Sequence, residues 1–158
     1  MSIKIDKAQL IVTVRNKIAL IESLIEQDRK DWAQYEKDRV ETAKLVTTAK
    51  EKYAASIAKS LVKQATNYSL SRGYNGEATV SLTFDSSVSL PEEPDYNVLY
   101  PYPTQPVNKF PVAFRKNGEP ISVREQLAGL KNTLEWLQVI DPDSALTQSE
   151  FGRITTHL

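Results

Sequence analysis

From Ile3 to Ser71 the chain contains neither glycine nor proline. These are the two residues that most readily interrupt a helix, so their absence over such a stretch restricts what the segment can become. Ala, Lys, Glu, Gln, Leu and Ile dominate it. The pattern predicts one very long N-terminal helix over about residues 4–71. At 1.5 Å rise per residue, 65 helical residues would extend roughly 100 Å. A helix of that length must fold back or find something to pack against.

A heptad register runs along it. With position a at Ile11, Ile18, Ile25, Trp32, Arg39, Val46 and Tyr53, position d falls at Val14, Ile21, Asp28, Tyr35, Thr42, Ala49 and Ser56. Sustained apolar a and d positions are the signature of a coiled coil. The repeat is cleanest from Ile11 to Ile25, so Ile11, Val14, Ile18, Ile21, Ile25, Trp32 and Tyr35 form the expected oligomer interface. Between Gln27 and Glu41 the seam becomes highly charged. Asp28 and Arg39 there are either solvated surface or polar residues that set the register, and a bend near Lys30 would turn the rod into a hairpin. Past Tyr53 the apolar positions follow Ile57, Leu61, Ala65 and Tyr68. This phase slip moves the stripe around the helix and predicts packing on the second half of the chain. The division expected is a helical oligomerisation segment, 1–53, and a compact α+β head, 54–158.

Gly73 is the expected end of the long helix, since glycine supplies the left-handed C′ conformation. Ala78, Val80, Leu82 and Phe84 alternate with polar residues and predict a half-buried strand. Residues 91–111 hold six of the eight prolines. Tyr96, Tyr100 and Tyr102 are interleaved with Pro101 and Pro103, which makes this either a stiff surface connector or a partner-docking segment. Asn117-Gly118 is a type I′ hairpin signal, and Pro120 confines the returning strand to an edge. Residues 77–84, 112–116 and 119–122 are expected to form one small antiparallel sheet. Ser122 and Glu125 make a capping box ahead of Val123, Leu127, Leu130, Leu134 and Leu137, an amphipathic helix at 123–140 that should pack on the long helix. Gly129 inside it suggests a close approach by another element. Asp141-Pro142-Asp143 should stop that helix. Thr147 and Glu150 open a short one through about residue 155. The fold class is therefore α+β and predominantly helical.

Chemistry-bearing motifs are scarce. There is no cysteine, which excludes disulfides, thiolate catalysis and cysteine metal sites. The single histidine, His157, cannot supply a multi-histidine metal site alone. The five glycines are too scattered for a phosphate-cradling loop. Glu22 with Glu26, and Glu92-Glu93 with Asp95, are the available carboxylate clusters. An enzyme would need them to converge between subunits. No cofactor and no metal is expected, and the leading expectation is not an enzyme.

The 20 basic and 20 acidic side chains cancel. Residues 1–70 carry 13 basic against 9 acidic groups and residues 71–158 carry 7 against 11, a balance of +4 and −4. Lys44, Lys52, Lys59 and Lys63 fall within about 100° of arc on an ideal helix. They form a candidate face for a phosphate backbone. The functional expectation is a structural or interaction protein that oligomerises through the helical seam, a homodimer first, and binds a protein partner. A nucleic-acid-associated factor using the lysine face is the alternative. The layout is similar in style to small viral or phage accessory and assembly proteins, although no motif carries the similarity. The N-terminus is too charged for a secretory signal and no apolar run reaches membrane length. The expected location is the cytoplasm, that of the host cell for a viral protein, with no membrane contact.

Overall fold

The structure, a computed structural model, describes residues 6–140 and 146–158. The elements in chain order are α1 (Lys7–Gln64), β1 (Asn67–Arg72), β2 (Ala78–Thr83), α2 (Tyr96–Leu99), β3 (Ala113–Phe114), β4 (Pro120–Ile121), α3 (Val123–Val139) and α4 (Gln148–Thr155). The long helix is real and unbroken, 58 residues without a turn at Lys30. The chain divides into two compact units, residues 1–34 with 105–158 and residues 35–104, and α1 runs through both. This boundary differs from the expected break at residue 53.

The first unit has a core. Leu10, Val14 and Ile21 of α1 are buried with Leu130 and Leu137 of α3 and Ile154 of α4. Val123, Leu127 and Leu134 pack against that cluster, so the leucine stripe lies on the long helix as its period implied. It lies on the first turns of α1, not on residues 54–70 as expected. The reason is the density of branched apolar residues: Leu10 to Ile21 present the richest stripe α1 has, and α3 takes it. Lys131 of α3 reaches Glu22 of α1 at 2.7 Å on the flank of this contact.

The helix caps follow the sequence closely. Ser122 caps α3 by accepting from the Glu125 backbone N–H at 3.2 Å. The reciprocal half of that box is missing, because the Glu125 carboxylate is held instead by Arg115 at 2.7 and 2.9 Å. Thr147 and Glu150 form the full box at the start of α4. The expected Asp141-Pro142-Asp143 stop lies outside the described residues. β3 and β4 pair antiparallel, but the turn is not the type I′ expected: only Gly118 has a positive φ, 83°, and its N–H bonds back to the Arg115 carbonyl at 2.9 Å, so Lys116 and Asn117 form the centre of the turn.

The second unit is built differently. Helix α1 ends at Gln64, nine residues before the glycine expected to stop it. Tyr68 and Leu70 alternate with Asn67, Ser69 and Ser71, a period of two, and this segment becomes β1. It pairs with β2 over six unbroken rungs. Gly73 lies in the hairpin loop, donating to the Glu77 carbonyl at 2.8 Å, and Gly76 carries the positive φ of 80°. The strands of the two units form two separate two-stranded sheets rather than the single sheet expected.

After β2 the chain returns along α1 as an extended strap. The Gln64 side chain anchors its start, donating to the Ser89 carbonyl at 2.7 Å and accepting from the Ser89 N–H at 2.9 Å. Further on, the Tyr53 hydroxyl donates to the Pro91 carbonyl at 3.0 Å. Proline-rich backbone has few donors of its own, so polar side chains of the helix supply the fastening.

Candidate interaction surfaces

The seven residues of the heptad seam do not share one environment. Val14 and Ile21 are 0% exposed inside the chain's own core. Their assignment to an interchain seam is therefore corrected. An apolar stripe at helical spacing calls for a cover, but it does not say whether another molecule or the same chain supplies it. Ile11 and Ile18 are half-buried at the border of that core. Ile25 and Trp32 remain 37% and 41% exposed. Tyr35, in the other unit, is half-buried.

The charged stretch that follows is largely solvated, and Asp31 anchors it. Glu36 accepts from Arg39 at 2.9 Å, and Glu26 from Arg29 at 3.0 Å, both within one turn of helix. Asp31 is the anchor. It accepts from the Gln27 amide at 2.7 Å and from Lys109 at 3.1 Å. These two hydrogen bonds hold its carboxyl below the ordinary range, the Gln27 bond contributing most. The Gln27–Asp31 spacing of four was legible as a helical pair. Its connection to Lys109, 78 positions away, was not.

The tyrosine and proline segment divides between the two readings given to it. Tyr96 is laid on the helix. Its hydroxyl is buried without a hydrogen-bond partner among the described residues, and the Lys50 ammonium sits 5.6 Å from its ring centroid. Burial pushes the Tyr96 phenol above its ordinary value, with the charges of Glu93 and Tyr53 adding to the effect. Asp95 fixes the start of α2 by accepting from the Asn97 N–H at 3.0 Å. Tyr100 and Pro103 are half-buried, whereas Pro101 and Tyr102 face solvent. Tyr102 flanks an open groove with Val40, Ala43, Thr47 and Glu51 of α1.

Lys44, Lys52, Lys59 and Lys63 are all exposed. None of them forms an ion pair among the described residues. Lys52 borders the strap beside Pro91, Glu92 and Pro94, and Lys44 lines the groove beside Tyr102.

Carboxylates of both clusters are engaged locally. Glu22 is paired with Lys131, Glu26 with Arg29 and Lys30, and Asp95 caps α2. Among the described residues no group of three His, Cys, Asp or Glu is placed to hold a metal ion. No described helix is long and apolar enough to cross a membrane. One polar cleft of about 240 Å³ lies between α3 and α4, lined by Asn132, Thr133, Trp136, Arg153 and His157. Its floor explains Gly129: a Cβ there would meet the His157 ring at 2.7 Å. The close approach expected at Gly129 is real, and it comes from an imidazole. Gln126, buried beside it, donates to the His157 carbonyl at 3.2 Å.

Compared with known proteins, the chain matches no protein-family model, no curated protein and no solved structure.

Proposed function

We propose that this chain is a non-enzymatic assembly or interaction protein whose middle unit, residues 35–104, is completed by association with further copies of the chain. One observation carries this reading. Among the described residues every side chain buried as a whole belongs to the other unit, and residues 35–104 contain none. Val40, Leu45, Val62, Leu70, Val80 and Leu99 are instead largely exposed. Seventy residues with no buried side chain do not offset the conformational entropy lost on ordering them.

A two-fold dimer is the simplest closed arrangement. Pro101 and Tyr102, facing solvent on a strap with little entropy left to lose, are the surface offered to a different protein partner.

Light scattering across a range of concentrations tests the reading. A mass above that of one chain is expected, together with a urea midpoint that rises with protein concentration. A single-chain mass throughout, with a fixed midpoint, overturns it.

The lysine face favours a second reading, contact with a phosphate backbone, because its four ammonium groups are exposed and unpaired. Such binding weakens steeply with salt. A gel shift at low salt that is abolished by changing the four lysines to glutamate supports it, and no shift at low salt ends it.

A further inference from the structure

The two hairpins of this chain close on the same kind of loop. Gly73-Tyr74-Asn75-Gly76-Glu77 joins β1 to β2, and Arg115-Lys116-Asn117-Gly118-Glu119 joins β3 to β4. In each, the first residue donates its N–H to the carbonyl of the last, Gly73 to Glu77 at 2.8 Å and Arg115 to Glu119 at 2.7 Å. In each, the glycine N–H bonds back to the carbonyl of the first residue, at 3.1 Å for Gly76 and 2.9 Å for Gly118. Both glycines are left-handed, with φ of 80° and 83°, and a Cβ on either would meet nothing within 4 Å. Each loop therefore presents an asparagine followed by an unobstructed glycine.

That dipeptide has a chemistry of its own. The backbone nitrogen of the residue after an asparagine can attack the side-chain carboxamide carbon. A carbon–nitrogen bond forms, ammonia leaves, and a cyclic succinimide remains. Water then opens the ring at either carbonyl. The product is an aspartate, or an isoaspartate in which the main chain runs through the former side chain. Water is the only co-reactant. Glycine favours the attack because it carries no side chain to shield its nitrogen or restrict its backbone. The asparagine carboxamide must be free to turn onto that nitrogen.

Here the two loops part. The Asn117 carboxamide is fastened, its Oδ1 accepting from the Glu119 N–H at 3.1 Å. The loop around it is fastened as well. Arg115 donates to the Glu119 carboxylate at 3.2 Å and to Glu125, in the first turn of α3, at 2.7 Å. Among the described residues the Asn75 carboxamide forms no hydrogen bond, and no ion pair reaches its loop. Every residue from Thr66 to Ser81 is exposed.

We propose that Asn75 is a site of spontaneous modification, closing to a succinimide on the Gly76 nitrogen and opening to isoaspartate and aspartate, while the hydrogen bond to Glu119 protects Asn117 from the same reaction. The modification stands apart from the assembly reading and needs no second copy. It adds a negative charge to the β1–β2 loop and, in the isoaspartate, an extra methylene to its main chain. The bond from Gly76 to the Gly73 carbonyl depends on the loop it would distort, and a two-stranded ribbon has little stability to spare. Ageing of the chain therefore loosens β1–β2 and leaves β3–β4 intact.

The full chain, held at mildly alkaline pH to favour loss of the glycine amide proton, provides the test. Peptides carrying residues 75 and 117 are followed over time by liquid chromatography and mass spectrometry. Asn75 is expected to convert roughly fivefold faster than Asn117, the factor set by one hydrogen bond of ordinary net strength. Its product should separate into a pair of peaks of equal mass, isoaspartate and aspartate. In urea, where neither loop is held, the two rates should converge. Amide exchange of the aged chain should be faster over residues 67–83 and unchanged over 113–121. Equal rates in the folded chain, or faster conversion of Asn117, overturn the proposal. So does a preference for Asn75 that persists undiminished in urea, since it would come from the neighbouring Tyr74 and Lys116 and not from the fold. Exchange over residues 67–83 that ageing leaves unchanged overturns the loosening of the hairpin.

Discussion

The two units of this chain share one helix and differ in what that helix is asked to do. In the first, α1 offers Leu10, Val14 and Ile21 to α3 and α4, and the result is a dry core. In the second, α1 offers Tyr53, Ser60 and Gln64 to a proline-rich strap, and the result is a set of polar fastenings with no buried side chain. A unit of the first kind satisfies itself. A unit of the second kind holds its own backbone in place while leaving its apolar groups exposed. One helix can thus end one unit's folding problem and pose another's, depending on whether the segment laid on it is the leucine-striped α3 or the proline-rich strap.

The contrast can be broken most forcefully at the core. Leu130→Ala is expected to cost about 3 kcal/mol, the usual range for emptying a fully buried leucine site. Val62→Ala, at an exposed position of α1 in the other unit, should stay within about 0.5 kcal/mol at low protein concentration. Urea titrations of both variants check the pair. A large loss from Val62→Ala in dilute single chains would mean that the second unit is self-sufficient after all.

A smaller effect is expected at the α3–α4 contact. Alanine is a better helix former than glycine by about 1 kcal/mol. In the natural chain a Cβ at Gly129 runs into the His157 ring, so Gly129→Ala should destabilise α4. In a His157→Ala background the same change should become stabilising by about 1 kcal/mol. Thermal melts of the four chains in this cycle decide the sign. Gln64→Ala is expected to cost about 1 kcal/mol, since it removes the paired hydrogen bonds to Ser89. Its diagnostic sign is faster amide exchange over the start of the strap, measured by mass spectrometry, with α3 unchanged.

The smallest expected effects come from pH, and they separate the units by direction. Glu150 accepts from the Thr147 backbone N–H and hydroxyl, which hold its carboxyl below the ordinary value of 4.5, and Asp31 is lowered from 3.8 by Gln27 and Lys109. Carboxyls depressed in the folded state contribute stability above those ordinary values and lose it as the pH falls through the lowered ones. Both groups belong to the first unit. Tyr96, in the second, is raised above its ordinary 10.0 by burial. Its contribution is complete below pH 10 and disappears as the pH climbs through the raised value. Amide exchange at pH 3.5 should therefore accelerate first around α4, and at pH 10.5 first around α2. The opposite order would show that these contacts do not govern local opening.

Much of the architecture was legible because it follows from short-range rules. Absence of glycine and proline predicts α1. A four-and-three leucine spacing predicts α3. Ser122 and Thr147 predict their caps, and Asn117-Gly118 predicts that a turn forms, though not its type. Each of these depends on residues within a turn or two of one another. The candidate surfaces were less legible. A heptad pattern identifies which side of α1 must be covered, and Val14 and Ile21 are indeed covered, but periodicity carries no information about the molecule that does the covering. The end of α1 was misplaced for a related reason. Gly73 marks a turn rather than a helix stop, and the strand alternation beginning at Tyr68 wins: a longer helix would satisfy these residues equally well but would leave Ala78–Thr83 without the strand it pairs with.

By itself, then, the amino-acid order determined which segments are helical, where they are capped, and which of their faces are apolar, since these are set by local sterics and hydrogen bonding. Only the tertiary structure decided that the leucines of α3 take the isoleucine side of α1, that an imidazole fills the gap at Gly129, and that the hairpin face at Leu70 and Val80 is left open. Those outcomes depend on groups far apart in the chain competing for the same apolar surface.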